Sequence, residues 1–388
     1  MKSTYLPRTI FYLLFFFAVP VAKTPAQEVP ANITYDGYRG GFDIGSQGVK
    51  LSVIGFYHQN GKLKYRLIYD RQETVGLVKG MELNSGKLRA VDIQEAVATV
   101  QEMMRDAFDV FGLTNRDFII YTSSGINLAT NVSDVNALTQ KTLGMTTITD
   151  MPTKVEATYS VRAGLAREDF ERAILVDVGG GNLKGGILQP YINAAGETRF
   201  TFKSYTIELG ARRLSERILL RNPNLTEYPN LLKKMVEDSI APLIRMSLND
   251  NPGIKDLSRS MVYLTGGAAY QFITWRYPEK VRDEIVEFTL DDLGQFVEML
   301  YSLTGWIDWQ SRTFAMIKDV KLREQIERDH IKASRRVYNR EGCLAGTLLA
   351  QQVFREIGGL NTKTFYFTRD AYWINALVFD TYKDEFKR

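Results

Sequence analysis

The sequence has few of the side chains that metal centres and nucleophilic active sites most often use, with one cysteine and two histidines in 388 residues. Cys343, being alone, cannot form a disulfide bond within the chain. A zinc site needs several cysteine or histidine ligands, and a Cys–His nucleophilic pair has poor support from so few candidates. Chemistry in this chain therefore has to depend on carboxylates, lysines, hydroxyls and backbone groups.

The sequence also has little net charge. The formal charge is +4, but residues 1–27 hold three bases and no acid, which leaves 46 bases and 45 acids in the rest of the chain. A basic field that would attract nucleic acid or an anionic membrane surface is absent. We therefore expect no nucleic-acid partner, and we expect any bound anion to be held by local groups.

The N-terminal segment, 1–27, has the order of a secretory signal peptide. Lys2 and Arg8 precede an apolar run from Thr9 to Ala22, which is short for a membrane span of about 20 residues. We expect cleavage after Ala22 or Ala26 and export to the periplasm or the extracellular space. The alternative is an uncleaved N-terminus that anchors the chain in a membrane.

Two short stretches place an aspartate at the end of an apolar run and glycines directly after it. They are Phe42–Gly48 and Val176–Asn182, and in each the flanking pattern predicts strand, tight turn, strand. A glycine turn lets backbone N–H groups approach a phosphate without a Cβ in the way. Asp43 and Asp177 can hold a divalent cation or its water. Two such turns in separate halves of the chain predict two hairpins that clasp one phosphate chain.

Other phosphate-binding motifs do not fit the sequence. A P-loop needs glycine five residues before Gly-Lys, and Phe56 and Met81 occupy those positions ahead of the two Gly-Lys pairs. A dinucleotide-binding fingerprint that begins at Gly179 would need glycine where Lys184 stands.

Strands and helices alternate along the chain. The apolar spacing predicts helices at 92–111, 135–143, 157–166, 211–220 and 229–247, and buried strands at 117–121 and 261–264. This alternation indicates mostly parallel sheets covered by helices. The chain is long enough for two domains, which we place at 28–165 and 166–388. The strand at 261–264 runs into Thr265-Gly266-Gly267, a strand-to-helix turn whose free N–H groups suit a phosphate or a nucleotide.

The order of these features resembles the actin-like ATPase superfamily, and within it the exopolyphosphatase/guanosine pentaphosphate phosphohydrolase (Ppx/GppA) family. The motifs follow one another from about residue 38 to the end of the chain. They are Asp43–Ser46, Tyr121–Gly125, Glu156–Ala157, Asp177–Gly181, Leu209–Leu214 and Thr265–Gly267. The resemblance implies an α/β fold of two actin-like (ribonuclease H-like) domains, with mixed, mostly parallel sheets, flanking helices and a cleft between the domains.

The resemblance also implies roles for individual residues. Asp43 and Asp177 would hold Mg²⁺ or its waters and take part in catalysis. Glu156 would be the general base that deprotonates the attacking water; the alternative is a carboxylate at a helix start, favoured by the helix dipole. Phosphate would be bound by Gly45, Ser46, Ser123, Gly179, Gly180, Gly181, Lys184, Gly210, Thr265, Gly266 and Gly267.

The chain departs from the family pattern at several places, among them Gln47 in the first loop, the missing arginine near Ile126, and Thr368–Trp373 in the closing segment. Lys184 stands where the family has a metal-binding glutamate, and a lysine can neutralise phosphate but cannot ligate Mg²⁺ as a carboxylate does. The loop that ends in Glu156 carries one acid where the family usually has several.

The resemblance, together with the two glycine turns, implies a Mg²⁺-dependent phosphoanhydride hydrolase that releases terminal phosphate from polyphosphate or a nucleoside polyphosphate. One alternative is a non-catalytic protein that keeps the cleft for phosphate, a nucleotide or a partner. Another is an apyrase-like exported nucleotidase. A homodimer would be in keeping with the resemblance.

Overall fold

The computed structural model of the chain describes residues 33–165, 167–302, 314–324, 326–327, 339–369 and 372–387. The predicted signal peptide, 1–27, lies outside these residues, so export and the alternative membrane anchor stay predictions. In the part of the chain that is described, no helix is both long and apolar enough to cross a membrane.

The first of two mixed β-sheets is built from the N-terminal part of the chain. Its strands are β1 Gly37–Gly45, β2 Gly48–Gln59, β3 Lys62–Thr74, β4 Phe118–Thr122 and β5 Thr147–Ile148. They lie in the order β3-β2-β1-β4-β5. Two successive hairpins make β1, β2 and β3 antiparallel, whereas β1, β4 and β5 run parallel.

The second sheet repeats this plan and adds an edge strand. Its strands are β6 Ala173–Val178, β7 Leu183–Ile192, β8 Thr198–Ile207, β9 Met261–Thr265, β10 Ile285–Phe288 and β11 Thr364–Thr368. They lie in the order β10-β11-β9-β6-β7-β8. The β6–β7–β8 hairpins are antiparallel, β6, β9 and β11 are parallel, and β10 pairs antiparallel with β11.

Helices cover the faces of both sheets. They are α1 Ala90–Phe111, α2 Ser133–Leu143, α3 Thr153–Gly164, α4 Ala211–Arg221, α5 Tyr228–Met235, α6 Ala241–Asn249, α7 Gly267–Arg276, α8 Leu290–Tyr301, α9 Arg340–Ile357 and α10 Trp373–Tyr382. The helix predicted at 229–247 is interrupted by a π-helical turn, Val236–Ile240, between α5 and α6. The predicted stop of α1 is confirmed, because Gly112 adopts the left-handed conformation and donates to the Phe108 carbonyl.

Alternate residues of the central strands pack into different cores, since successive side chains of a strand point to opposite faces. In β6, Ile174, Val176 and Val178 belong to the large core beneath the helices of the second half. Their neighbours Ala173 and Leu175 belong to a smaller core on the other face. Burying both faces explains the continuous apolar run that the sequence shows there.

The C-terminal helix α10 returns to the first sheet. Its residues Ile374 and Val378 are buried in one cluster with Ile54 and Phe56 of β2. A Cβ on Gly41 of β1 would lie 2.4 Å from Val378 Cγ2, so helix and strand are in close contact. The division of the chain at residue 165 stays a prediction, and the structure adds to it that the last helix covers the first sheet.

Helix α3 lies between the two halves of the molecule. It packs against α10 beside the first sheet and against β7 and β8 of the second. Because Glu156 is in its first turn, this helix carries the predicted catalytic carboxylate to the boundary between the sheets.

Replacing Ile374 with alanine tests the docking of α10. The side chain is fully buried, so its truncation should cost about 2–5 kcal/mol of unfolding free energy. Hydrogen exchange should accelerate in β1 and β2 more than in β6 and β9, which mass spectrometry of peptide fragments can measure. Leu225→Ala, at an exposed position, is the control and should change neither sheet. Faster exchange confined to the second sheet would contradict this packing.

Candidate functional site

The first glycine turn closes the β1–β2 hairpin. Gly45 pairs with Gly48 across a two-residue turn, and Asp43 lies directly opposite Lys50. Opposite residues of an antiparallel pair project to the same face, and Lys50 Nζ lies 3.8 Å from Asp43 Oδ2. The sequence-predicted aspartate therefore has a cationic neighbour that follows from the hairpin register.

The second glycine turn places a lysine in the same relation to its aspartate. In the β6–β7 hairpin Asp177 lies opposite Lys184, and the turn is closed by the Gly179 N–H, which donates to the Asn182 carbonyl at 3.0 Å. The lysine side chain is therefore directed to the face that carries the carboxylate.

Lys184 is the centre of a buried cluster of polar side chains. Its Nζ lies 2.9 Å from Asp177 Oδ2 and 3.0 Å from Glu156 Oε1, and it donates to Asn182 Oδ1 at 3.3 Å. An ammonium group has three N–H donors, so all three have acceptors here. The side chain is only 4% exposed.

The charge of Lys184 is stabilised by its two carboxylate partners. Burial acts to lower the pKa of the ammonium group, but Asp177 and Glu156 outweigh it, and the pKa is raised above its ordinary value. The lysine is therefore a fixed cation at any physiological pH.

Glu156 is held from two sides. One oxygen faces Lys184, and Oε2 accepts a hydrogen bond from the Ser124 backbone N–H at 2.5 Å. The Ser124 hydroxyl in turn accepts from Asn182 Nδ2 at 2.8 Å. Since Ser124 follows β4 and Asn182 lies in the second turn, these bonds join the two halves of the molecule around a carboxylate that is 3% exposed.

Asp43 has a separate environment on the other side of the boundary. Its Oδ2 accepts from Trp373 Nε1 at 3.2 Å, while Oδ1 is buried with no hydrogen-bond partner among the described residues. Burial raises the pKa of the Asp43 carboxyl to about 6, with Lys50 opposing the rise and Glu156 adding to it. An ionised Asp43 is therefore under electrostatic strain.

The second glycine turn is in contact with the first turn and with the loop that follows β4. A Cβ on Gly181 would lie 2.3 Å from the Gly125 carbonyl oxygen, and one on Gly180 would lie 1.9 Å from Gln47 Nε2. That amide nitrogen is buried and has no partner in the described part of the chain. The two predicted hairpins therefore lie in contact, and that they clasp a phosphate chain stays a prediction.

The third loop packs behind the second turn. Thr265 lies beside Asp177 in the parallel pair of β6 and β9. Gly266 has φ +109°, and a Cβ there would lie 2.3 Å from the Val178 carbonyl oxygen, so glycine is required for both reasons. Gly267 begins α7.

The N-terminus of α4 is capped by the second turn. The Gly210 N–H donates to the Gly181 carbonyl at 2.9 Å, and the Ala211 N–H donates to the Gly179 carbonyl at 2.9 Å. Donors that a phosphate could use are therefore bonded within the protein.

Ion pairs and a hydrogen bond hold the loop before α1 against α4. Glu82 binds Arg213 at 2.8 Å and Arg217 at 3.2 Å, and the Gly80 N–H donates to Glu216 at 3.0 Å. These contacts add to the closure between the two halves.

The structure thus brings most of the predicted site residues to one boundary between the sheets. Glu156 and Asp177 each contact the Lys184 ammonium there, and the glycine turns flank these three residues. Asp43 reaches the same boundary with its own partners. Their catalytic, phosphate-binding and metal-binding roles stay predictions.

Among the described residues, no group of three or more histidine, cysteine, aspartate or glutamate side chains is arranged to hold a metal ion. Asp177 and Glu156 share the Lys184 ammonium, and one Asp43 oxygen is bonded to Trp373. Mg²⁺ prefers six oxygen ligands in a near-octahedral arrangement. The donors around Asp177, as arranged, do not fit that ion.

Several side chains of the site were not identified from the sequence. Lys50 could have been found by counting back from the first turn, since it pairs with Asp43. Ser124 belongs to the Tyr121–Gly125 motif and Asn182 to the second glycine turn, but only the tertiary structure shows the hydrogen bond between them. Trp373 is 330 residues from Asp43, and no local pattern connects them.

No protein-family profile matches the sequence, and no curated protein is significantly similar to it. The fold, in contrast, matches solved structures over most of its length. An exopolyphosphatase-like protein superposes with a TM-score of 0.64 at 13% identity, over 90% of this chain and 99% of that one. An exopolyphosphatase from Cytophaga hutchinsonii gives 0.61 at 14%, over 89% and 98%. A Ppx/GppA family member from Aquifex aeolicus gives 0.53 at 16%, over 90% and 98%.

These similarities confirm the predicted fold. The chain has two mixed sheets flanked by helices in the arrangement of the Ppx/GppA structures. At 13–16% identity the similarity is one of architecture.

Replacing Gly210 with alanine tests the contact between α4 and the second turn. The new Cβ would lie 2.3 Å from the Gly179 carbonyl oxygen and 2.5 Å from the Asn182 nitrogen, both backbone atoms. We expect a loss of about 2–4 kcal/mol in the free energy of unfolding, measured by urea denaturation. Gly294→Ala is the control, because its Cβ would meet nothing within 4 Å and alanine favours a helix by up to about 1 kcal/mol. Equal effects of the two changes would contradict this tight packing.

Replacing Asp43 with asparagine tests the strain on this carboxyl. Its folded pKa of about 6 lies above the ordinary 3.8, so the folded state binds the proton more tightly and stability falls as the pH rises from about 4 to about 6. Asparagine does not ionise, so the variant should be more stable than wild type at pH 7.5 by on the order of 1–3 kcal/mol. The gain should shrink at pH 4.5.

Urea denaturation in metal-free buffer at the two pH values measures this difference. Asp109→Asn, at an exposed position on α1, serves as the control. A difference between wild type and Asp43→Asn that is the same at both pH values would show that ionised Asp43 is not strained.

Proposed function

We propose that this protein is a phosphoanhydride hydrolase that releases terminal phosphate from polyphosphate or a nucleoside polyphosphate. Two glycine turns and a strand-to-helix glycine turn converge on one buried boundary, and a carboxylate stands among them. This combination suits a chain of phosphates, whose oxygens accept bonds from backbone N–H groups.

The proposal depends most on the position of the Glu156 carboxylate. Its carboxylate is fixed by the Ser124 N–H and by Lys184, and each carboxylate oxygen keeps a further lone-pair site. A carboxylate so placed can accept a hydrogen bond from water and take its proton as the water oxygen attacks the terminal phosphorus. The bond from phosphorus to the bridging oxygen then breaks, and the shortened chain leaves.

The contact between the turns indicates how the substrate would be admitted. The second turn meets the first turn at Gln47 and meets the loop after β4 at Gly125, so the phosphate chain would enter when the two halves separate. On binding, Gln47 Nε2, which has no hydrogen-bond partner among the described residues, is a donor that would face the anion. Closing the boundary around the substrate would exclude bulk water from the reacting group.

The test is phosphate release by the full chain from long-chain polyphosphate, guanosine pentaphosphate, ATP and GTP, with Mg²⁺ and with EDTA. Glu156→Gln should lower the rate by about 100-fold or more, because it removes the proton acceptor. The glutamine is of similar size, and Lys184 keeps Asp177 as a partner, so the variant should fold. Circular dichroism checks that it does.

Glu168→Gln, at an exposed position, is the matched control and should keep the wild-type rate. Release of phosphate at the same rate by wild type and Glu156→Gln would rule out Glu156 as the base. A preference for nucleotides over polyphosphate would favour the apyrase-like alternative.

The pairing of Glu156 favours a second candidate function. Both of its oxygens already have protein partners, and Lys184 has no N–H left to offer a phosphate. A cluster that is satisfied within the protein suits a non-catalytic protein that binds an anion or a partner. Binding of tripolyphosphate by calorimetry, with no release of phosphate by wild type, would support this candidate over the hydrolase.

A further inference from the structure

The cluster around Lys184 has the composition of a cation site that already holds its cation. Two carboxylates, Asp177 on β6 and Glu156 on α3, face one point, and the Lys184 ammonium occupies that point at 2.9 Å and 3.0 Å. The Asn182 amide oxygen supplies a third acceptor at 3.3 Å. Oxygen donors of this kind also bind divalent ions, so lysine and metal would compete for the same place.

The backbone places Lys184 on the same face of the hairpin as Asp177. The position of the lysine opposite Asp177 is set by the β6–β7 register. The next residue, Gly185, leaves no free space, because a Cβ there would lie 2.0 Å from the Leu175 carbonyl oxygen. The backbone therefore fixes the Cα of Lys184 and the face of the sheet to which its side chain points.

Displacing the ammonium would be unfavourable. Lys184 is buried, and a divalent ion between the carboxylates would leave its charge without the partners that compensate its burial. If both cations stayed, two positive charges would lie a few ångströms apart with low solvent screening. With the lysine in place, the two carboxylates and the ammonium already reduce the local charge to −1.

We propose that the Lys184 ammonium is the resident cation of the Asp177–Glu156 site, so that this site excludes Mg²⁺ and keeps its structure without any divalent ion. The proposal holds whether the protein hydrolyses its ligand or only binds it. It therefore can fail or succeed independently of the proposed function.

The first experiment titrates the full chain with Mn²⁺ and follows the free ion by electron paramagnetic resonance. Wild type should show no saturable site at the cluster, and its thermal midpoint should be the same in EDTA and in Mg²⁺. Lys184→Glu removes the cation and adds a third carboxylate facing the other two. It should bind Mn²⁺ at least about tenfold more tightly than wild type, and Mg²⁺ should raise its thermal midpoint.

Two further variants locate the gained site. Adding Glu156→Gln to Lys184→Glu should abolish the gained Mn²⁺ binding. Lys203→Glu makes the same charge change at an exposed position on β8 of the same sheet and should bind no more Mn²⁺ than wild type. If Lys184→Glu does not fold, Lys184→Asn removes the cation without adding charge and carries the same expectation of gained binding.

Two results would overturn the proposal. One is saturable Mn²⁺ binding by wild type that Asp177→Asn abolishes, which would show that the lysine moves aside for a metal ion. The other is Mn²⁺ binding by a folded Lys184 variant that is no tighter than that of wild type, which would show that the carboxylates are not a cation site at all.

Discussion

A lysine ammonium buried away from solvent has to be surrounded by acceptors, and this requirement organises the boundary between the two halves of the protein. Lys184 takes its acceptors from three places: Asp177 on the same hairpin, Asn182 in the turn, and Glu156 on α3. Removing one acceptor would leave a buried charge poorly compensated, which typically costs several kcal/mol. The ion pair with Glu156 therefore favours the closed contact between the turns, and any ligand that opens the boundary has to work against it.

The same boundary contains groups that are not satisfied. Asp43 Oδ1 and Gln47 Nε2 are buried without hydrogen-bond partners among the described residues, and both belong to the first hairpin. The second hairpin is the reverse case, since its turn carbonyls cap α4 and its lysine is fully bonded. The first hairpin therefore has polar groups that can still bind a ligand, whereas the polar groups of the second hairpin are already bonded within the protein. Trp373 connects the first hairpin to α10, so movement of that helix would change the hydrogen bond that Asp43 accepts.

Local patterns were sufficient to predict the two hairpins, the helices α1, α2 and α4, and the class of fold, because turn glycines and apolar spacing act over a few residues. The interruption of the 229–247 helix was missed, since a π-helical turn depends on packing that the spacing does not show. In the site, the sequence drew attention to Glu156, Asp177 and Lys184 but not to their mutual contact. That contact depends on α3 packing between the sheets, and neither propensity nor spacing encodes it. The bond from Trp373 to Asp43 was missed for the same reason.

Lys184 occupies the position between Asp177 and Glu156 that a divalent cation would take. Crystals of the wild-type protein soaked in Mn²⁺, with anomalous diffraction recorded near the manganese edge, test it most directly. We expect no anomalous peak within coordination distance of Asp177 and Glu156, and we expect density for the lysine ammonium between the two carboxylates. A manganese peak between them, with the Lys184 side chain turned away, would contradict it.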